Sequence, residues 1–425
     1  MPSPLGMLNP AALPAQSRRV GMDTELRLKS VLLSIYTSLA GMYNAQKQSM
    51  PNGIYMKISD KATKGSYRTR ITMLERLSEA GVLGDNVAIG HEEQPKTRVA
   101  EVYHNNCRKV VSVPGYGIDK LHADYLGLFE QHIDNLGDWN KEQEDLEIHQ
   151  ALLQTFGETL TTGETASACP VNWNPNIFIA GIGAHGAQPQ YSPALATFTS
   201  RIVAALGATT GGTAVSTVLN NDTLSNISNY ALFKRIEPLD LPGTPSGKGY
   251  VLTMSELQAM ALGDPGWAAR NLGSLFIQKA ALPEKVMNWP GVLGMYKDLL
   301  LVVDHRTPTI KRAGSALTAG YMRHGNNDTR DRGAATTSTD RVYDVATLHG
   351  KGAVWKWEPE PIHTIEQTDD YGKVKGVGSA CVRGIGIPMF WENIEDRFNT
   401  VTPQTPTQTS SAAIICALPG DAPSP

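Results

Sequence analysis

The sequence predicts an α+β fold built from two domains that interrupt one another along the chain. Three observations predict it. Residues 119–156 keep a helical apolar period and contain no proline. Residues 50–115 are basic and alternate as strands do. After a mixed middle, residues 340–400 return to strand patterning. The chain has 425 residues, and at roughly 150 residues per domain two or three domains are expected.

Composition narrows the function classes. Hydrophobic residues make up 41% and charged residues 19%, as in a folded globular chain. The 38 Lys+Arg and 41 Asp+Glu leave a formal charge of −3, which argues against a dedicated nucleic-acid binder with a large basic excess. No apolar run approaches the ~18 residues that a membrane span needs, so no membrane partner is expected. Cys107, Cys169, Cys381 and Cys416 are scattered without a CxxC pair. They suggest neither a zinc ribbon nor a disulfide scaffold, and a reducing compartment is the default. The first residues lack the basic and apolar pattern of a secretory signal.

The elements follow in chain order. Residues 1–20 are rich in Pro and Ala and read as an irregular arm. Leu28, Leu32, Ile35, Leu39 and Met42 are spaced alternately four and three residues apart, which predicts a helix with Thr24 as N-cap and Gly41 as stop. Next, Ile54, Met56 and Ile58 alternate, as do Tyr67, Thr69 and Ile71, with the polar SDKATKG between them. This predicts a hairpin. Lys57, Lys61, Lys64, Arg68, Arg70 and Arg76 make it basic. A solvated face is the ordinary account, and contact with an acidic surface of a neighbouring chain is the sharper one. A long polar hairpin has little core of its own, which favours packing against another molecule.

Leu126, Phe129, Ile133, Leu136 and Trp139 carry the apolar stripe of the long helix, and Leu146, Leu153 and Phe156 continue it beyond the charged KEQED. At ~1.5 Å per residue, 119–156 would span more than ~50 Å, too long for one small core. It reads as a spine crossing a flat subunit, with Gly137 permitting a bend. Further on, NIFIA (176–180), Gly249–Met254 and Leu299–Val303 read as strands, and Ala194–Leu206, Asp222–Ile236 and a segment from Ser255 as helices. Arg323–Thr339 reads as a loop, and Ala353–Trp357, Val374–Val382 and Gly386–Trp391 as strands. The Thr/Pro/Gln/Ser-rich stretch 403–425 is expected to be an exposed, flexible tail.

Chemical motifs are few. Gly181, Gly183 and Gly186 fit G-x-G-x-x-G, but Pro189 and Pro193 oppose the helix that the dinucleotide fingerprint requires. The acidic residue expected roughly 20 positions on is also missing. There is no P-loop, HExxH, GxSxG or EF-hand loop. The ten His residues form no pair at i, i+3 or i, i+4, so they read as core or surface residues and not as metal ligands. Asn326–Asp331 reads as a solvated loop, and Asp304-His305 after a strand lacks a recognisable nucleophile. No catalytic residue, cofactor or metal is expected.

Several segments, in order, resemble the major capsid (coat) proteins of tailed bacteriophages, in particular the N-four-like branch. Lys64-Gly65 leads to Leu77, Gly81-Val82-Leu83-Gly84-Asp85 and Gly90-His91-Glu92-Glu93, similar to the family's extended-loop stretch. Leu136-Gly137-Asp138-Trp139 resembles the Leu-x-x-Trp of its spine helix. Tyr250-Val251-Leu252 is followed by Leu257-Gln258 and Asp264-Pro265-Gly266-Trp267, and Asp370-Tyr371-Gly372 by Val382-Arg383-Gly384 and Phe390. The match runs from about 50 to about 400. It departs from the family at Ile387-Pro388, where a basic pair is common.

The resemblance implies the Hong Kong 97-type fold. It places an N-terminal arm at 1–49, an extended loop at 50–115, a peripheral domain at 116–160 and 341–402, an axial domain at 161–340 and a tail at 403–425. It implies a structural protein, not an enzyme. Copies would form pentamers and hexamers that close into an icosahedral shell around double-stranded DNA, bound without sequence preference. Scaffold, portal and decoration proteins are the further partners it implies. The virion shell, assembled in the host cytoplasm, is the implied location. Lys61, Lys64, Arg68 and Arg70 would lie over an adjacent subunit and meet carboxylates there, for which Glu142, Glu144, Asp145 and Glu147 are the candidates. The competing expectations are a soluble α/β nucleotide-binding enzyme using the 181–186 loop, and another phage virion component.

Overall fold

The structure, a computed structural model, describes residues 26, 36, 39–43, 52–58, 68–74, 97–114, 125–153, 176–179, 219–242, 244, 246–263, 276–278, 288–313, 316–322, 340–369, 374–388 and 410–417. Two mixed sheets and one long helix organise them. The five-stranded sheet has the order β1 (Ala40–Tyr43), β2 (Tyr55–Ile58), β15 (Val354–Asp369), β16 (Val374–Gly386), β5 (Asn105–Pro114). The ten-stranded sheet follows the path β13 (Ala316–Gly320), β12 (Thr309–Ala313), β14 (Asp340–His349), β8 (Lys248–Met254), β11 (Leu299–Val303), β10 (Val292–Tyr296), β9 (Phe276–Gln278). To it are added β17 (Ser411–Ala417), which pairs with β14 and with β6 (Ile177–Ile179), and β7 (Leu239–Asp240), which pairs with β8. A separate antiparallel pair joins β3 (Arg68–Leu74) to β4 (Thr97–Tyr103). The helices described over their whole length are α1 (Tyr125–Leu153), α2 (Asn221–Phe233) and α3 (Glu256–Gly263).

The centre of the large sheet explains its sequence. β8 and β11 run parallel and are apolar on both faces because both faces are covered. Tyr250, Leu252, Leu299 and Leu301 meet Leu224, Ile227 and Tyr230 of α2 on one side. Val251, Leu300 and Val302 meet Ile148 and Leu152 of α1 on the other. Each such side chain contributes roughly 1.5–3 kcal/mol by leaving water. Asn220 caps α2, its side-chain oxygen accepting from the Thr223 N–H at 2.8 Å.

Helix α1 is where the two sheets meet. Its 29 residues give a length of ~44 Å. Ile133 and Leu136, in its first half, pack on Ile362, Val377 and Cys381 of the small sheet. Ile148 and Leu152, in its second half, pack with the large sheet. Asn140 pins the middle, donating to Ser379 Oγ of β16 at 3.0 Å. The helix continues through Gly137.

Four local expectations differ from the structure. Ala40–Tyr43, expected to end a helix, form β1, although Tyr36 is helical. The Leu39 carbonyl there accepts from the Ile54 N–H at 2.8 Å, so pairing with the sheet replaces another helical turn. Ile54–Ile58 is not an arm of the hairpin. It belongs to the small sheet, where β2 runs parallel to β1 and β15. The true partner of β3 is β4, from Arg68↔Tyr103 to Leu74↔Thr97. The base of this hairpin is not bare, since Ile71, Ala100 and Val102 pack on Met56, Trp355 and Trp357. Of the strand expected at Gly386–Trp391, Gly386 instead ends β16 and Ile387-Pro388 lie outside it, while 389–391 lie outside the described residues. Finally, the stretch expected as a flexible tail contains β17. Its residues 411–416 are all buried, and 411–417 line β14 over seven residue pairs. Ala194–Leu206 and Arg323–Thr339 lie outside the described residues.

Candidate functional site

Helical spacing sorts the acidic run of α1 onto two faces. Glu144 and Glu147 look toward the small sheet, while Glu142, Asp145 and His149 look toward the turn after β11. On the first face, Lys356 Nζ donates to both Glu144 oxygens at 3.0 Å. Tyr55 Oη donates to Glu144 Oε1 at 2.6 Å. Arg383 grips Glu147 through two nitrogens, at 2.7 and 3.2 Å, and stands 3.6 Å from Glu144. The cations come from β15 and β16, so every contact ties the helix to that sheet. Burial alone would raise the Glu144 carboxyl, but Lys356 and Arg383 hold it below its usual range. Burial likewise opposes the charge on Lys356, and Glu144 more than restores it.

On the second face, His149 Nε2 lies 3.1 Å from Asp304 Oδ2 and 4.0 Å from Asp145 Oδ1. Arg306 Nε is 3.1 Å from Asp145 Oδ2, and its Nη2 is 3.6 Å from Glu142. The backbone N–H of Arg306 donates to Asp304 Oδ1 at 3.0 Å. Burial penalises the His149 imidazolium, and Asp304 with Asp145 more than reverses this, leaving it raised. Burial raises the Asp145 carboxyl, whereas His149 and the Arg306 N–H hold Asp304 low despite burial. Tyr36 packs edge-on against His149 and His349, with ring centroids 6.0 and 5.6 Å away. His349 Nε2 lies 3.0 Å from Thr347 Oγ1 and 3.2 Å from Thr253 Oγ1. Burial pushes His349 down to about 3, so it is neutral.

The residues singled out in the sequence fall as follows. Glu144 and Asp145 are buried and partnered within their own chain, whereas Glu142 and Glu147 retain some exposure. Arg70 is half-exposed and pairs with Glu101 of its own hairpin at 2.7 Å. Arg68 opens β3, and Lys61 and Lys64 lie outside the described residues. The structure therefore gathers the acidic candidates into one region, and Arg70, the basic candidate whose side chain is described, pairs within its own hairpin. Asp304 holds His149 at 3.1 Å, closer than its neighbour His305 at 4.0 Å, whose side chain is exposed. Gly181, Gly183 and Gly186 lie outside the described residues. Lys356, Arg383, Tyr55 and Arg306 have no local signature. Asp145 and His149, however, sit at i, i+4, a spacing that a search for His–His pairs passes over.

No protein-family model matches the sequence, and no curated protein matches it. Solved structures do. The capsid of Ralstonia phage GP4 aligns with a TM-score of 0.60 at 19% identity, covering 92% of each chain. The chain has the fold of tailed-phage capsid proteins. The head structure of Helicobacter pylori bacteriophage KHP40 aligns at 0.55 and 12% identity over 92% of each chain. The Cyanophage Pam1 capsid aligns at 0.53 and 13% identity over 91% of this chain and 93% of that one. This is the Hong Kong 97-type fold.

Proposed function

We propose that the chain is the coat subunit of a tailed-phage head, a structural protein whose copies form pentamers and hexamers and close an icosahedral shell around double-stranded DNA. The observation that carries this reading is the likeness of the whole chain to capsid proteins over 92% of both chains. The near-neutral charge supports it, since a shell must enclose DNA without adhering tightly to it. The mechanism is geometric. A contact of ~4 kcal/mol corresponds to only ~1 mM affinity, so subunits correct errors before closure. Closure then multiplies modest contacts through effective concentration.

The subunit divides as arm 1–49, extended loop 50–115, peripheral domain 116–160 and 341–402, and axial domain 161–340, except that β1, β2 and β5 join the small sheet and β14 and β17 the large one. Assembly proceeds in the host cytoplasm with scaffold and portal proteins, and decoration proteins join the shell. The loop cations Lys61, Lys64, Arg68 and Arg70 meet carboxylates of an adjacent subunit. Of the acidic run, Glu142 and Glu147 are the accessible partners, because Glu144 and Asp145 are enclosed by their own chain.

Negative-stain electron microscopy of the recombinant protein, alone and with its scaffold, tests the reading. Shells, tubes or capsomer rings are expected, and a uniform monomer under both conditions refutes it. Replacing Lys61, Lys64, Arg68 and Arg70 by Glu should stop shell formation while leaving the subunit folded. Unimpaired shells from that variant would remove the loop contact from the proposal.

A further inference from the structure

We propose that Asp145, His149 and Asp304 form a site for one divalent transition-metal ion, zinc being the first to test, which fastens α1 to the turn after β11. One ligand atom from each residue lies within 4.8 Å of the other two. Zinc bound at ~2.0–2.2 Å in a tetrahedron holds its ligands ~3.3 Å apart. The separations of 3.1 and 4.0 Å from His149 Nε2 bracket that value.

The orientation of the groups matters more than the distances. Asp145 Oδ2 is taken by Arg306 Nε at 3.1 Å, and Asp304 Oδ1 by the Arg306 N–H at 3.0 Å. Each carboxylate is thus steered from behind, with its other oxygen turned toward His149. Of those inward atoms only His149 Nε2 and Asp304 Oδ2 are close, at 3.1 Å. Asp145 Oδ1 and His149 Nε2 make no hydrogen bond, although both side chains are almost wholly buried. Lone pairs that face a common point, held by an outer layer of hydrogen bonds, are what a metal site requires.

One imidazole nitrogen and two carboxylate oxygens suit zinc and its first-row neighbours, whereas magnesium prefers oxygen ligands throughout. Without an ion, the imidazolium serves as counter-charge to the two carboxylates. The ion would displace the Nε2 proton of His149 to solvent, take over that role and bind the two elements directly. All three ligands belong to one chain, so the site stands independently of the coat reading.

The test uses untagged full-length protein, stripped with EDTA and dialysed. Zinc should bind at about one equivalent per chain by elemental analysis and raise the melting temperature, while magnesium leaves it unchanged. Cobalt in place of zinc should give the visible d–d bands of a tetrahedral site without a sulfur-to-metal charge-transfer band. His149→Gln and Asp304→Asn should abolish both effects. No retained metal and no shift in melting would leave only an ion pair and overturn the proposal. So would a charge-transfer band, or full binding in both variants, because the ion would then sit elsewhere. The cobalt spectrum of the unaltered protein decides the matter even where a variant fails to fold.

Discussion

The two faces of α1 bury similar groups but settle them differently. Toward the small sheet, two carboxylates meet a lysine, an arginine and a tyrosine, and both oxygens of Glu144 and of Glu147 are engaged. Toward the large sheet, Asp145 and Asp304 share one histidine and one arginine, and Asp145 Oδ1 is left without a hydrogen bond. The first face is a finished joint. The second holds only what the turn after β11 supplies, and so keeps the capacity to accept something more. A buried charge is tolerated when its lone pairs are filled, and breaking a filled set is costly.

The largest expected effect breaks the finished joint. Glu144→Ala leaves Lys356 only its longer 3.5 Å contact with Glu358 and leaves Arg383 with Glu147 alone, and should cost about 3–5 kcal/mol in chemical denaturation. On the other face, Arg306→Gln removes one cation from an already open cluster. Its cost should be smaller, about 1.5–3 kcal/mol by the same measurement. An equal or greater loss for Arg306→Gln would reverse the comparison.

His349 sharpens the contrast through pH. Its folded value is near 3 against an ordinary 6.5, so below pH 6.5 the unfolded chain binds the extra proton. The stability is present in full above about 6.5 and is lost as pH falls toward 3. Between pH 7 and pH 5 the loss should be about 2 kcal/mol, and His349→Gln should abolish that part of the slope. The smallest effect belongs to the surface. Lys351 and Glu237 are 3.6 Å apart and partly exposed, so Lys351→Ala should change stability by less than about 1 kcal/mol.

Much of the frame is legible in the sequence, because long periodic segments announce themselves. The stripe from Leu126 to Leu153 locates α1, and the apolar runs of β8 and β11 locate the sandwiched centre of the large sheet. Pairing is not legible in the same way. Alternation at Ile54, Met56 and Ile58 announces a strand, yet its partner β15 lies some 300 residues away along the chain. SAAIICA carries the apolar signal of a buried strand, but its Thr-, Pro- and Gln-rich surroundings hide it. The site fares similarly. The acidic run stands out as charge, whereas the division of its members between two sheets depends on Lys356, Arg383 and Arg306, which only folding brings near.

The position of β17 bears on synthesis. β14 gains its neighbour along seven residues only after 411–417 have left the ribosome, and Ala412, Ile414 and Cys416 also close the core over α2. A nascent chain halted before that point carries an unpaired strand edge and an open apolar face, features that invite chaperone retention and not productive docking. Translation itself would then act as an inspection step: a prematurely terminated copy lacks the means to finish its largest sheet.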